Sequence, residues 1–514
     1  MRLGRVVLVG LGPLLAAASA GVARADDIAV CAQRLGDAAI AACTRAISSG
    51  RLAGRNLASR YVDRGNRYAE AGDVDRSIAD YTTAIRIDPR YATPYYNRGN
   101  RYDETGQYDR AIADYSEAIR LNPKLGAAYT NRGLSYKHNG DRKRAMADYD
   151  EAIRLDPKDV DAYLNRGVIY AEDRDYDRAI TEFNQAIRID PRYPLGFHNR
   201  ASAYREKREY DRAISDYDEA IRLNPKYASA YLNRGRAYNS KGDYERAIAD
   251  FNETIRLKPK DADAYRGRGI AYYRKSDYER ALADYNEAVR LDPKYSLNYY
   301  SRGDAYLARL DYDRAIADYS EAIRLDPKYA SAYSNRGDAY GRTGDYERAI
   351  ADYSEVIRLD PKDDGAYRSR GIAYLYTAAL PKAQADINQA SALDPKDAYT
   401  ALWLDIVNQR SGLPSRLPQA VAQLDMAKWP APVIRLYLGE MTSEGVLAAA
   451  DDPQPATKGN RLCEVNFYTG QLALRRGEKD EAARLFRLAA SGCPKTYPEF
   501  IGSNAELKAL GATP

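Results

Sequence analysis

Proline recurs in this chain at a fixed interval of 34 residues. A regular period of this length is typical of a repeat architecture, in which each repeat is one small supersecondary unit. With proline assigned to repeat position 32, ten consecutive units fill residues 58–397. The ten prolines are Pro89, Pro123, Pro157, Pro191, Pro225, Pro259, Pro293, Pro327, Pro361 and Pro395.

Other positions of the repeat are nearly as constant. Position 4 is aromatic in every unit, position 8 is Gly in nine, position 11 is always Tyr, position 20 is Ala except at Ser77, and position 24 is aromatic except at Ile387. Positions 4, 8 and 11 share one helical face, and so do positions 20, 24 and 27. Turn residues such as Gly72-Asp73 lie between the two sets. Each unit is therefore predicted to be a helical hairpin. Since one hairpin cannot cover its own apolar face, the units must stack into an all-α solenoid.

This order of an aromatic residue, Gly, Tyr, Ala, a second aromatic residue and a closing Pro resembles the tetratricopeptide repeat (TPR). The resemblance covers residues 58–397 without a gap. It implies a right-handed superhelical solenoid of antiparallel helix hairpins, with a concave groove lined by the first helix of each unit. It also implies a role in binding proteins or peptides.

Position 7 departs from the family pattern, which usually has Leu there. All ten units have Arg at position 7 and an acidic residue at position 23, for example Arg64 with Asp80 and Arg166 with Glu182. The two positions are equally far from the turn, and a buried unpaired charge is costly. We therefore expect an internal series of ion pairs across the hairpins. The alternative is a row of arginines that binds an anionic ligand.

Position 6 is the candidate peptide-binding site. An asparagine side chain there would offer both a donor and an acceptor to a peptide backbone, and a row of this kind binds extended peptides in some members of the family. The alternative is that these asparagines are ordinary polar residues on a helix surface and have no role in binding. The six candidate residues are Asn97, Asn131, Asn165, Asn199, Asn233 and Asn335.

The chain has four cysteines, and none lies within the ten units. Cys31 and Cys43 fall in one predicted hairpin, and Cys463 and Cys493 fall near the two ends of another. If the chain is exported to an oxidising compartment, we expect one disulfide in each hairpin; the alternative is four inert thiols. Arg2, Arg5, an apolar run and Ala23-Arg24-Ala25 resemble a cleavable signal peptide over residues 1–25. Export to the periplasm or cell envelope is therefore predicted, with an uncleaved N-terminal anchor as the minor alternative.

Regions outside the repeats are assigned by weaker signals. Residues 26–57 contain a degenerate hairpin that would cap the array. Residues 398–514 are predicted to be a C-terminal helical region, in which the repeat pattern returns at 463–496. This closing region is similar to the end of TPR adaptor proteins from bacterial envelopes.

No motif for catalysis, a metal or a cofactor is present in the sequence, so we predict a protein that is not an enzyme and needs no cofactor. Lys and Arg number 78 against 73 Asp and Glu, a balance that argues against nucleic acid as a partner. The leading interpretation is a scaffold that binds protein or peptide partners in the groove and has no membrane span after cleavage. The alternatives are a structural, homo-oligomeric solenoid and a specificity subunit of an envelope hydrolase. The oligomeric state stays open.

Overall fold

A computed structural model describes residues 25–33, 36–495 and 497–513. The predicted signal peptide, apart from Ala25, lies outside these residues. The described residues form helices joined by short turns, as the repeat predicts. The chain divides into two compact units after Ala237.

The repeats give one helical hairpin per 34 residues. The first helices are α3 Gly54–Glu70, α5 Ala92–Glu104, α7 Gly126–His138, α9 Val160–Glu172, α11 Pro194–Glu206, α13 Ala228–Lys241, α15 Ala262–Arg274, α17 Ser296–Ala308, α19 Ala330–Thr343 and α21 Asp364–Tyr376. The second helices are α4 Val74–Ile87, α6 Tyr108–Leu121, α8 Arg142–Leu155, α10 Tyr176–Ile189, α12 Tyr210–Leu223, α14 Tyr244–Leu257, α16 Tyr278–Leu291, α18 Tyr312–Leu325, α20 Tyr346–Leu359 and α22 Leu380–Leu393.

Helices also flank the repeats on both sides. The hairpin α1 Ala25–Gln33 and α2 Asp37–Ser48 precedes them. After them come α23 Ala398–Arg410, α24 Leu417–Ala420, a 3₁₀ turn Val421–Gln423, α25 Ala431–Tyr437, α26 Ser443–Ala449, α27 Pro455–Arg475, α28 Lys479–Gly492 and α29 Pro498–Ala509. These C-terminal helices share one apolar core around the fully buried Trp403.

Close approach of the two helices in a hairpin explains the glycine at position 8. A Cβ added to Gly133 would lie 2.7 Å from the ring of Tyr149, at position 24 of the same unit. Gly470 and Phe486 repeat this arrangement in α27 and α28, at 2.8 Å. The aromatic ring fills the space that a side chain at position 8 would need, and glycine leaves that space open.

The predicted ion pairs join the two helices of each hairpin. In the nine units where the pair is described, the guanidinium at position 7 binds the carboxylate at position 23 at 2.6–2.8 Å. The arginine side chains are 17–21% exposed and the acidic ones 6–12%. The structural interpretation of these arginines is confirmed for those units.

The same arginines also link successive units. The third guanidinium nitrogen, Nη1, donates to position 25 of the preceding unit: Arg98 to Thr82 at 3.0 Å and Arg132 to Ser116 at 3.0 Å. Arg302 and Arg336 do so in the second compact unit, to Asn286 and Ser320. One side chain therefore fixes the register of its own hairpin and joins that hairpin to the preceding one.

A left-handed residue at position 15 makes the turn inside each hairpin. Gly344 has φ 81°, and the next residue, Asp345, caps the second helix by accepting a hydrogen bond from the Arg348 amide. Five units place a residue other than glycine in this conformation, among them Leu310 with φ 63°. Side chains there strain the backbone, since Cβ approaches a carbonyl oxygen.

Both predicted disulfides are present. Cys31 on α1 is bonded to Cys43 on α2, and Cys463 on α27 is bonded to Cys493, which directly follows α28. Each bridge closes one hairpin outside the ten repeats.

The ion pairs predict a large loss of stability on truncation of one partner. Changing Asp216 to Ala leaves the largely buried Arg200 without its carboxylate, so the free energy of unfolding should fall by about 3 kcal/mol. Glu219→Ala is the control, because Glu219 and Arg222 form an exposed pair that should contribute at most about 1 kcal/mol. Urea unfolding followed by circular dichroism measures both. Equal effects would contradict the structural role.

Position 15 provides a second test with opposite signs. Gly344→Leu should destabilise by about 1–2 kcal/mol through backbone strain alone, since a Cβ there meets nothing within 4 Å. Leu310→Gly should remove that strain, but glycine also gives the unfolded chain more conformational entropy, which offsets part of the gain. The net increase in the free energy of unfolding should be up to about 1 kcal/mol. Thermal melting of both variants checks the prediction, which fails if the two shifts have the same sign.

Candidate functional site

The candidate site is the surface formed by positions 5, 6, 9, 12 and 13 of the first helices, here named the first-helix face. Positions 4, 7, 8 and 11 are used inside the hairpin, so these remaining positions are free to vary. First helices of successive units contact one another, α3 with α5, α5 with α7 and α7 with α9, and likewise α15 with α17 and α17 with α19. Within each compact unit this brings the varied positions side by side.

Two of the predicted asparagines are held by the preceding repeat. Asn97 Nδ2 donates to Asn66 Oδ1 at 2.8 Å. Asn131 Nδ2 donates to Asn100 Oδ1 at 2.9 Å and to the Tyr96 hydroxyl at 3.2 Å. Asn66 and Asn100 both occupy position 9, so in these two repeats the amide oxygen at position 9 accepts from the asparagine that follows.

Asn335 is held in the same way in the second compact unit. Its Nδ2 donates to Asp304 Oδ1 at 2.9 Å and to the Tyr300 hydroxyl at 3.1 Å. Both amide hydrogens of Asn335 are used, as are those of Asn131. Only the side-chain carbonyl oxygen then remains for a ligand.

His198 organises a third contact between units. Asn233 Nδ2 donates to His198 Nε2 at 3.1 Å, so the ring carries its hydrogen on Nδ1, which lies 3.3 Å from Asn199 Oδ1. Burial is the main cause that lowers the pKa of His198, which keeps the ring neutral at neutral pH. Arg205 Nη1 donates to Asn233 Oδ1 at 3.1 Å, so Asn233 is engaged at both ends.

Asn165 and Asn199 differ from the others because the preceding position 9 is apolar, Leu134 and Val168 respectively. Within residues 36–495, no hydrogen bond involves the side chain of Asn165, and none uses the Nδ2 of Asn199. Both side chains are half-buried. These two amides therefore have donors open to a ligand.

Charges of both signs line the face near these asparagines. Lys137 Nζ lies 3.0 Å from Glu172, and Arg205 lies 2.6 Å from the neighbouring Glu206. No single sign of charge dominates there. The arginines at position 7, by contrast, are engaged by carboxylates, which removes the support for an anion-binding row.

Helix α29 covers the first-helix face at the end of the repeats. Gly502 lies against Tyr376, at position 13 of the tenth unit, so that a Cβ added to Gly502 would be 2.6 Å from the Tyr376 hydroxyl. Glu506 on the same helix pairs with Arg410. The last repeat therefore uses this surface for packing within the chain.

Two features are absent from the described part of the chain. No helix in it combines the length and apolarity needed to cross a bilayer. It also has no group of three or more His, Cys, Asp or Glu side chains placed to hold a metal ion.

Solved structures similar to this chain include two that are described as TPR proteins. A tetratricopeptide repeat protein from Parabacteroides merdae is 22% identical, covering 48% of this chain and 98% of that one, with a TM-score of 0.41. YrrB, described as a TPR protein with an unusual peptide-binding site, is 25% identical over 36% of this chain and 95% of its own, with a TM-score of 0.33. The Cut9–Hcn1 hetero-tetramer of the APC/C is 15% identical over 72% of this chain and 86% of that chain, with a TM-score of 0.41.

Family models match along most of the repeats. Models described as tetratricopeptide repeat match residues 130–194, 198–262, 240–296 and 330–363, and one described as TPR repeat matches 65–103, 99–140 and 303–344. Together they cover more than half of the chain, in the region where the 34-residue period builds paired helices. The chain belongs to the tetratricopeptide-repeat family.

Proposed function

We propose that this protein is an exported, non-enzymatic scaffold that binds extended peptide segments of partner proteins on its first-helix face. The observation that carries the proposal is the pair Asn165 and Asn199, whose amides keep open donors in the described structure. A peptide backbone alternates donors and acceptors, and a primary amide can match both. Family membership supports the coarser role of a protein-interaction scaffold.

The six asparagines contribute unequally in this proposal. Asn165 pairs with the peptide through both the carbonyl oxygen and Nδ2. Asn199 pairs through Nδ2, since its carbonyl oxygen already faces His198 Nδ1. Asn97, Asn131 and Asn335 contribute the carbonyl oxygen, because Nδ2 is held by the preceding repeat. Asn233, engaged by Arg205 and His198, marks the end of this stretch of the face.

Two features support export. The Cys31–Cys43 and Cys463–Cys493 disulfides persist in oxidising compartments. The N-terminal residues have the composition of a signal peptide. Together they favour the periplasm or cell envelope as the place where the scaffold works.

The binding role predicts that Asn165→Ala combined with Asn199→Ala releases peptide partners. Purified wild type and variant would be used to capture cross-linked partners from an envelope fraction, and a captured segment would be resynthesised as a labelled peptide. We expect the variant to bind that peptide at least about tenfold more weakly, the loss of two or more hydrogen bonds. Gln185→Ala is the control, since Gln185 lies on the second helix α10 of the unit that contains Asn165. Unchanged affinity in the double variant would contradict the proposal.

The two classes of asparagine also predict different effects on stability. Asn131→Ala removes the donor shared by Asn100 and Tyr96, so the free energy of unfolding should fall by about 1–2 kcal/mol. Asn165→Ala should change it by less than about 0.5 kcal/mol. Urea unfolding of the two single variants measures the difference. A larger loss for Asn165→Ala would show that its side chain is structural.

A further inference from the structure

Repeat two contains a complete set of neutral hydrogen bonds on the first-helix face. Tyr115, at position 24, donates its hydroxyl to Asn100 Oδ1 at 2.8 Å. Asn131 donates to the same oxygen at 2.9 Å and to the Tyr96 hydroxyl at 3.2 Å. One amide oxygen at position 9 thus accepts both bonds, and no charge is needed.

Repeat eight has the same geometry around a carboxylate. Tyr319 donates its hydroxyl to Asp304 Oδ1 at 2.8 Å. Asn335 donates to that oxygen at 2.9 Å and to the Tyr300 hydroxyl at 3.1 Å. The two arrangements match atom for atom, except that Asn100 carries an amide where Asp304 carries a second oxygen.

That second oxygen, Oδ2, has no hydrogen-bond or ion-pair partner among residues 238–495 and 497–513. Burial raises the pKa of Asp304 to about 6, so its charge at neutral pH is kept at a cost in folding free energy. Arg274 favours the charged form from a distance but forms no ion pair with Asp304 in that part of the chain. Since Asn100 shows that the hydrogen bonds need no charge, the carboxylate at Asp304 adds something the fold does not require.

Tyrosines surround this carboxylate. The ring of Tyr300 packs against that of Tyr329 at 4.8 Å between centroids and against Tyr319 at 5.8 Å. After burial, the nearby Asp304 charge is the next largest cause of the raised pKa of Tyr273. Tyr273, Tyr300 and Tyr329 are all half-buried, which leaves part of each ring accessible.

Two of these rings are absent from repeat two. Position 12 of the preceding unit is Tyr273 before repeat eight, but Ala69 before repeat two. Position 34 is Tyr329 in repeat eight, but Leu125 in repeat two. Repeat eight therefore differs in both charge and aromatic surroundings, and the two changes suit the same ligand. A carboxylate forms charge-assisted hydrogen bonds with a cation, and aromatic faces attract it.

Repeat nine shows what happens when the chain supplies its own cation. Asp338, also at position 9, accepts from the Tyr353 hydroxyl at 2.7 Å and lies near Arg342, which favours its charged form. Pro498 and Ile501 of helix α29 line the cavity beside it. Both carboxylates are half-buried. Asp338 has the cation of Arg342 and helix α29 beside it, whereas Asp304 forms no ion pair among residues 238–495 and 497–513.

We propose that Asp304, with Tyr273, Tyr300 and Tyr329, forms a subsite for a lysine or arginine side chain of a peptide bound on the first-helix face. The inference rests on the proposed function, because it assumes a peptide ligand. It adds a requirement on that ligand's sequence: a basic residue must fall where the peptide passes repeat eight.

The test uses two labelled probes on the full mature chain. Both are nine-residue peptides of glycine and serine with one central lysine, which is free in one probe and acetylated in the other. By fluorescence anisotropy at pH 7.5, we expect the free-lysine probe to bind at least about fivefold more tightly. Equal affinity, or no binding of either probe, overturns the proposal.

Asp304→Asn is the decisive variant because it recreates the arrangement that Asn100 already makes, so the fold should be kept. The Asp304→Asn variant should bind the two probes with equal affinity. If it still binds the free-lysine probe more tightly than the acetylated one, the proposal is overturned. Adding Asn100→Asp to that variant should not restore the preference, since Ala69 and Leu125 replace the two rings. If the lysine preference returned in this double variant, the proposed contribution of Tyr273 and Tyr329 to binding would be wrong.

Acidity gives an independent readout. Between pH 7.5 and 5 the preference should disappear as Asp304 takes up a proton, with its pKa of about 6, while the probe lysine stays charged. The groups that face this carboxylate are Tyr319, Asn335, Tyr300, Tyr273, Tyr285, Tyr329 and Arg274. Tyrosine and arginine side chains do not change charge in that range. A preference that persists at pH 5 overturns the proposal. Asn165 and Asn199 lie in the other compact unit, so their double variant should keep the lysine preference. Loss of the captured peptide in that variant and loss of the lysine preference in Asp304→Asn therefore test the general peptide site and this subsite separately.

Discussion

The arginine at position 7 is the interaction on which the other features depend. Two of its nitrogens bind the acidic side chain across the hairpin, the third reaches the preceding unit, and its guanidinium lies 5.3–5.9 Å from the aromatic ring at position 4. Lysine could not replace it, because only a planar guanidinium presents donors in several fixed directions. The chain thus uses a polar group where the family usually places an apolar one, and satisfies each of its nitrogens.

Fixing the hairpin in this way leaves the first-helix face free to vary. The ion pair and the contact between position 8 and the ring at position 24 determine how the two helices approach. Positions 5, 6, 9, 12 and 13 then vary from unit to unit, although position 9 accepts from the hydroxyl of the ring at position 24 where it is Asn100 or Asp304. Differences between units on this face, such as Asn100 and Asp304 in one geometry, can accumulate without disturbing the stack.

The sequence was sufficient to predict the helical hairpins, the pairing of positions 7 and 23, and the two disulfides, because each depends on spacing within one unit. Contacts between units were missed. Position 25 accepts a hydrogen bond from the arginine of the next unit. It is Thr82 in one unit and Ser116 in another, so its role cannot be recognised from one constant residue type. Leu310 at a left-handed position was also unforeseen, since the turn signal used was glycine.

The asparagines at position 6 show why a regular pattern does not give equal sites. In sequence, Asn131 and Asn165 are the same residue at the same position of adjacent repeats. Asn131 follows Asn100 and is held by it, whereas Asn165 follows Leu134 and keeps its amide open. For these two asparagines the difference lies at position 9 of the unit before, where an amide oxygen accepts from Asn131 and an apolar side chain leaves Asn165 without that acceptor. A contact that crosses the boundary between repeats therefore makes identical residues of the repeat unequal.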